Sequence, residues 1–213
     1  MMAKKDDPAL SIRPAQPGDA AVAVGLLYQS MHGLADYIFG CDPRHPTLEV
    51  MGGLFLDPNN RLSHRHAHVL ETGAAPAGLL MAYPGRLVPA LDRCTGVRLL
   101  RRFSPAAFVR LIWHSLALPG EEALGDEYYV SNLAVLPQLQ GQGIGSWLLA
   151  FAERQARAAG LTRLSLCVDM DNPGAQRLYE RTGFRVVLRQ AHAPRAAQAG
   201  RGYLRMIKVL EPA

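Results

Sequence analysis

The residues with the clearest chemical potential lie between Tyr128 and Ser146. The run from Tyr128 to Val135 is apolar and β-branched, Pro137 closes it, and Gln140-Gly141-Gln142-Gly143-Ile144-Gly145 follows. Ser146 then opens a segment in which Trp147, Leu148, Phe151, Ala152, Ala156 and Ala159 recur at helical spacing. Strand, glycine loop and helix in that order aim unpaired backbone N–H groups and the positive end of a helix dipole at one spot. That spot suits an anion, in particular a phosphate, and glycine keeps Cβ atoms out of its way.

Three phosphate motifs compete. A P-loop requires Gly-x-x-x-x-Gly-Lys-Ser/Thr, and no Lys stands near this loop. A dinucleotide fingerprint requires a third glycine where Leu148 stands, directly after a strand that Pro137 here interrupts. The third pattern, Gln/Arg-x-x-Gly-x-Gly/Ala after Leu-Ala-Val-x-Pro, is met in full by Leu133 to Pro137 and Gln140 to Gly145. At these residues the chain resembles the general-control-related N-acetyltransferase (GNAT) superfamily, which transfers an acetyl group from acetyl-CoA to an amine.

A second stretch strengthens the resemblance. Asn172 to Phe184 matches the superfamily's Asn-x-x-Ala-x-x-Leu-Tyr-x-x-x-Gly-Phe, with Asn172 as helix N-cap, Pro173 at the first helical position and Gly183 past the end. Helical spacing places Ala175, Leu178, Tyr179 and Thr182 on one side, so Tyr179 faces inward. The resemblance implies an α/β (α+β) fold: a mixed, mostly antiparallel central sheet with splayed parallel fourth and fifth strands and helices on both faces. It implies acetyl-CoA as cosubstrate, with no metal. Gln140, Gly141, Gln142, Gly143, Ile144, Gly145 and Ser146 would carry the pyrophosphate, and Leu133, Ala134, Val135, Asn172 and Tyr179 complete the cosubstrate side. Leu133 and Val135 would pair with the pantetheine arm, and main chain near Asn132 to Val135 would face the oxyanion. Tyr179 stands at the superfamily's general-acid position, opposite the alternative of a core tyrosine that merely meets CoA.

Acetyl transfer needs a neutral amine, and an alkylammonium has a pKa of about 10. Relatives often place Glu or His on the fourth strand, but here the positions are Tyr129 and Ser131 on one face and Tyr128 and Asn132 on the other. Glu127, acting through ordered water, is the candidate base; an already neutral amine would need none. The expected activity is N-acetylation of a small-molecule or amino-acid-like primary amine. A protein or peptide N-acetyltransferase and a non-catalytic acyl-CoA sensor stay open beside it.

The elements that must position these residues are legible in outline. Leu10–Pro14 alternates like a first strand, Asp19 offers an N-cap, and helices are expected over Ala20–Met31 and Thr47–Leu56. In the superfamily the first helices line the acceptor side, which would bring Tyr28, Met31, Asp36 and Tyr37 near the amine; core and capping roles compete. His66–Glu71 and Ala77–Tyr83 read as a hairpin, with His64, His66 and His68 at period two on one strand face, read as surface or hairpin-face residues rather than metal ligands. Residues 84–126 depart from the minimal plan as a helical insertion between the third and fourth strands, with helices over Leu91–Phe103 and Pro105–Leu118; a substrate lid and a dimer surface are both open. Phe108, Leu111, Ile112, Ser115 and Leu116 fall on one side of the second. Ala191–Gly202, rich in Ala, Gly, Pro and Arg, reads as a loop between strands, before a last strand from Tyr203.

Composition sets the frame. A chain of 213 residues fits one domain, 1–213, with that insertion. Cys41, Cys94 and Cys167 form no metal spacing and cannot all pair, and no apolar run approaches the ~20 residues of a membrane span. A cytoplasmic protein without membrane partners is expected. The net charge of +5, with Arg98, Arg101 and Arg102 clustered beside Phe103, raises nucleic acid as a partner; polyanionic CoA and a solvated helix face account for it better. Self-association as a homodimer stays open.

Overall fold

The computed structural model describes residues 10–31, 33–73, 75–118, 120 and 122–211. Seven strands form one sheet in the order β1-β2-β3-β4-β5-β7-β6: β1 Leu10–Pro14, β2 Ala67–Thr72, β3 Ala75–Pro84, β4 Tyr128–Val135, β5 Arg163–Asp169, β6 Arg185–Ala191 and β7 Gly202–Val209. Only β4 and β5 pair in parallel; the other neighbours are antiparallel. On one face lie α1 Ala20–Met31, α2 Gly33–Phe39, α3 Thr47–Leu56, α4 Val88–Arg102 and α5 Pro105–Ser115. On the other lie α6 Ile144–Ala158 and α7 Pro173–Arg181.

The two faces are built by strand alternation. In β3, Leu79, Met81 and Tyr83 join the core beneath α1 to α5, while Leu80 and Ala82 join the core beneath α6. A central strand covered on both sides must be apolar throughout, as this one is. Gly160 and Gly183 end α6 and α7 with φ of +71° and +94°, the left-handed conformation that their type predicts. No helix among the described residues is long and apolar enough to cross a membrane.

Several local expectations change. Asp19 ends a short turn rather than capping α1 directly: its carboxylate accepts from Gln16 N at 2.7 Å and pairs with Arg13 at 2.8 Å. The three histidines do not share a strand face, because His64–His66 form a 3-10 turn and only His68 lies in β2. His64 Nδ1 meets Phe55 O at 2.9 Å, His66 packs edge-on to Tyr83, and His68 lies against Phe151. In α5, Ala107 and Leu111 turn inward, whereas Ile112, and Leu116 just past the helix end, are exposed. The 191–202 segment contains the turn Pro194–Ala199, with Ala196 and Ala199 buried against Tyr37 and Ala117. Two arginines of the basic cluster face carboxylates across the helix layer, Arg98 on Asp57 and Arg102 on Glu49.

Glu127 is fully buried at the start of β4, and Arg205 of β7 donates to both of its carboxylate oxygens at 2.6 Å. Leu124 N adds a third bond at 2.9 Å, and Gly85 N holds the Glu127 carbonyl at 2.7 Å. This pair closes the end of the insertion onto the sheet. Arg205→Met should leave the carboxylate buried without its counter-charge and lower stability by about 3–5 kcal/mol, and Glu127→Gln added to it should restore part of that loss. Urea unfolding of the three proteins measures both; a single variant as stable as wild type would show the pair to be dispensable.

Candidate functional site

The site is organised by where β4 and β5 stop pairing. Tyr128, Tyr129 and Val130 oppose Leu164, Ser165 and Leu166, and pairing ends there although both strands continue. On its other side β4 remains paired with β3 as far as Val135, with one irregularity: Met81 opposes Asn132 and Ala82 opposes Val130. Ser131 is therefore the extra residue of a bulge. The bulge shifts the alternation, so that Ser131 and Asn132 both line the cavity beneath α1 to α5. The expectation that Asn132 shares the face of Tyr128 is thereby corrected. Beyond it, Leu133 and Val135 turn toward the α6 core and Ala134 toward the other. The main-chain groups of 131–135 that point toward β5 have lost their strand partner.

The glycine loop lies beyond the end of β4. Gly141 and Gly143 have φ of +78° and +85°, and a Cβ built on either would meet nothing within 4 Å. Gly143 is the N-cap of α6, whose first backbone bond runs from Trp147 N to Gly143 O at 3.1 Å. The amides of Ile144, Gly145 and Ser146 thus have no acceptor within the helix. Gln140 braces the loop by donating from Nε2 to Val135 O at 3.1 Å, and Gln142 does the same to Gln138 O at 3.3 Å. Gly145 serves packing instead: a Cβ there would stand 2.8 Å from Leu178 Cδ2, so its small size lets α6 and α7 meet. The open cradle, the free amides and the unpaired edge of β4 fit a nucleotide-tailed thioester with an amide-bearing arm.

Tyr179 is the buried residue of α7, with its ring edge-on to Phe184 at 5.9 Å, and burial pushes its phenol up to about 12. The hydroxyl keeps its proton at any physiological pH. Asn172 Oδ1 accepts from Ala175 N at 3.0 Å and so fixes the start of the helix that carries Tyr179.

On the α1 to α5 side the bulge opens into a cavity of about 770 Å³. Of the four residues expected near the acceptor, Met31 lines it. Tyr28 instead donates to Asp36 at 2.7 Å, Asp36 also accepts from Thr47 at 2.6 Å, and Tyr37 stacks on His114 at 4.0 Å. The insertion supplies a wall through Val88, Asp92, Leu99 and Leu111. Glu127 is outside the lining, held by Arg205, and this geometry gives no support to a role as base.

Of the polar residues that line the cavity, Tyr129, Ser131 and Asn132 were named from the sequence, whereas Arg61, Asp92 and Glu122 were not found from it. Arg61 donates to Asp92 at 3.1 Å and to Glu122, and the Tyr129 hydroxyl donates to the same Glu122 oxygen at 3.0 Å. Burial works to raise the Glu122 carboxyl, but Arg61 and Tyr129 outweigh it and hold it below the usual range. Asp92 is pushed the other way, by burial and then by Glu122, against the pull of Arg61. Arg61, Asp92 and Glu122 come from three separate segments, and no motif connects them.

Comparison with known proteins agrees with this arrangement. The family model described as the acetyltransferase (GNAT) family matches residues 56–184. The chain is 43% identical over 56 residues to the aminoalkylphosphonate N-acetyltransferase of Salmonella typhimurium, covering 26% of this chain and 36% of that one. It is 36% identical over 112 residues to the mycothiol acetyltransferase of Geodermatophilus obscurus, covering 51% of this chain and 29% of that one. The matched stretches thus span about a third of these curated relatives. A solved structure described as an acetyltransferase superposes with a TM-score of 0.70 at 26% identity, covering 94% of this chain and all of the other. The splayed strands, the glycine loop and the family match lead to one conclusion: this chain belongs to the acetyltransferase (GNAT) family, whose members use acetyl-CoA.

Proposed function

We propose that the protein is an acetyl-CoA-dependent N-acetyltransferase that acetylates the primary amine of a small-molecule acceptor by direct attack on the thioester. The observation that carries this reading is the end of β4–β5 pairing at Val130 and Leu166, next to a glycine loop in which a Cβ at Gly141 or Gly143 would meet open space. Acetyl-CoA supplies an activated acyl carbon. The amides of Gly141 to Ser146 hold its pyrophosphate, with Gln140 bracing their loop. The unpaired edge at Leu133, Ala134 and Val135 takes the pantetheine arm, and main chain at the bulge faces the oxyanion that develops on attack.

Tyr179 donates a proton to the departing thiolate. Burial holds the Tyr179 phenol protonated, so its O–H faces the departing sulfur as a donor, and because its pKa lies above the thiol's the proton passes only as negative charge builds on the sulfur. Asn172 contributes by fixing the helix that carries Tyr179. The cavity wall formed by the 84–126 insertion, which we take as part of one domain spanning 1–213, favours a small acceptor over a peptide. Free thiols at Cys41, Cys94 and Cys167 suit a reducing, cytoplasmic setting.

Two variants test the assignment by calorimetry with acetyl-CoA and by thiol release with an amine panel. Gly143→Glu should abolish uptake of acetyl-CoA while thermal unfolding shows an intact fold, because it places a carboxylate in the anion cradle. Uptake that survives would contradict the loop assignment. Tyr179→Phe should lower turnover by roughly 10²-fold with acetyl-CoA affinity unchanged; an unchanged rate would remove the acid.

A further inference from the structure

The cavity beneath the β4 bulge carries a charge arrangement that bears on which amine it takes, an inference that rests on the transferase reading above. Its lining includes three carboxylates, Asp92, Glu122 and Asp169, against two guanidiniums, Arg61 and Arg86. Arg61 is engaged by two of the carboxylates at once, and Arg86 is exposed. Asp92 is exposed as well, so the less exposed part of the lining sets Glu122 and Asp169 against Arg61 alone and is short of positive charge. The same cavity is lined by Leu34, Ile38 and Phe39 from α2 and Leu111 from α5.

Glu122 is the best fixed of these anions. One carboxylate oxygen accepts from both Arg61 and the Tyr129 hydroxyl, and no described residue bonds the other. Its main-chain oxygen accepts from Arg205 Nε at 3.2 Å, so the ion pair that seats β4 also fixes this residue. Tyr129, which holds the carboxylate, stands two positions before the Ser131 bulge on the same cavity face. A carboxylate kept below its usual range accepts a proton from an alkylammonium poorly and stays ionised to attract it, and with its side chain 37% exposed Glu122 is reachable by a ligand in the cavity.

We propose that the acceptor is a primary ammonium on a compact apolar arm without an anionic group, anchored at Glu122, with Arg61 and Tyr129 as positioning residues. Glu122 binds the ammonium, and the proton that must leave before attack passes to solvent. The α2 and α5 side chains receive the arm. An acceptor with a phosphonate or carboxylate on its arm would meet Asp92, Glu122 and Asp169 with like charge.

Thiol-release kinetics on wild type and Glu122→Gln, with phenethylamine as apolar-arm amine and aminoethylphosphonate and β-alanine as anionic ones, test this. For wild type, kcat/KM should favour phenethylamine by more than about tenfold. Glu122→Gln should raise its KM by roughly tenfold with kcat nearly unchanged, as expected for a lost half-buried charge contact. Preference for the anionic amines, no turnover of phenethylamine by a protein that binds acetyl-CoA, or a fall in kcat at constant KM would each overturn the proposal. Calorimetry with acetyl-CoA separates the two levels: no uptake by wild type sinks the transferase reading itself, whereas uptake with a reversed amine preference sinks only this inference. Should Glu122→Gln fail to fold, wild type still decides: benzyltrimethylammonium should compete with the amine and benzenesulfonate should not, and equal or reversed inhibition would overturn the assignment.

Discussion

Two parallel strands that part company inside one sheet set the terms for the rest of this molecule. Backbone N–H and C=O groups of β4 beyond Val130 keep their partners on β3 and lose those on β5. Such groups, at the centre of a seven-stranded sheet, are costly to leave bare and ready to receive an extended ligand. The Ser131 bulge lets the opening form without breaking the β3–β4 ladder, since one extra residue bends the strand while pairing resumes at Asn132. The glycine loop, α6 and α7 lie along one side of the opening and the cavity along the other.

The opening can be stable only because its surroundings are over-determined. The β5–β7 ladder continues through Asp169, so β5 does not need β4 to stay in place. Glu127 and Arg205 tie the start of β4 to β7 at the point where the insertion ends, and Arg205 also reaches the main chain of Glu122. A group that resembles a catalytic carboxylate by position in the chain is thus an anchor, and the anchored segment delivers a different carboxylate to the cavity. One arginine thus holds both the start of β4 and the segment that brings Glu122 to the cavity.

Much of this was legible in the residues where chemistry is local. Asn172, Pro173 and Gly183 announce α7, and Gly143 and Gly160 take the left-handed φ that their positions require. Helical spacing located α1 and α3 because each buries one face, Ala23, Val24, Leu26 and Leu27 in the first and Val50, Met51, Leu54 and Phe55 in the second. What depends on distant partners was hidden. Arg205 lies 78 positions from Glu127, and Arg61 lies 31 from Asp92 and 61 from Glu122, so no window of sequence contains both members of a pair. The bulge was invisible for another reason: alternation read along β4 assumes an unbroken pleat, and a single inserted residue moved Asn132 to the opposite face. His64 and His66 were misplaced because a turn precedes β2 where a strand was read.

The claim that the unpaired edge of β4 and the glycine cradle together take the cosubstrate is tested most directly by amide hydrogen exchange, resolved by mass spectrometry, with and without acetyl-CoA. Exchange should slow at 131–135 and at 141–146 together, while the outer strand β1 is unaffected. Acetyl-CoA that binds yet leaves both segments exchanging at their free rates would contradict the account.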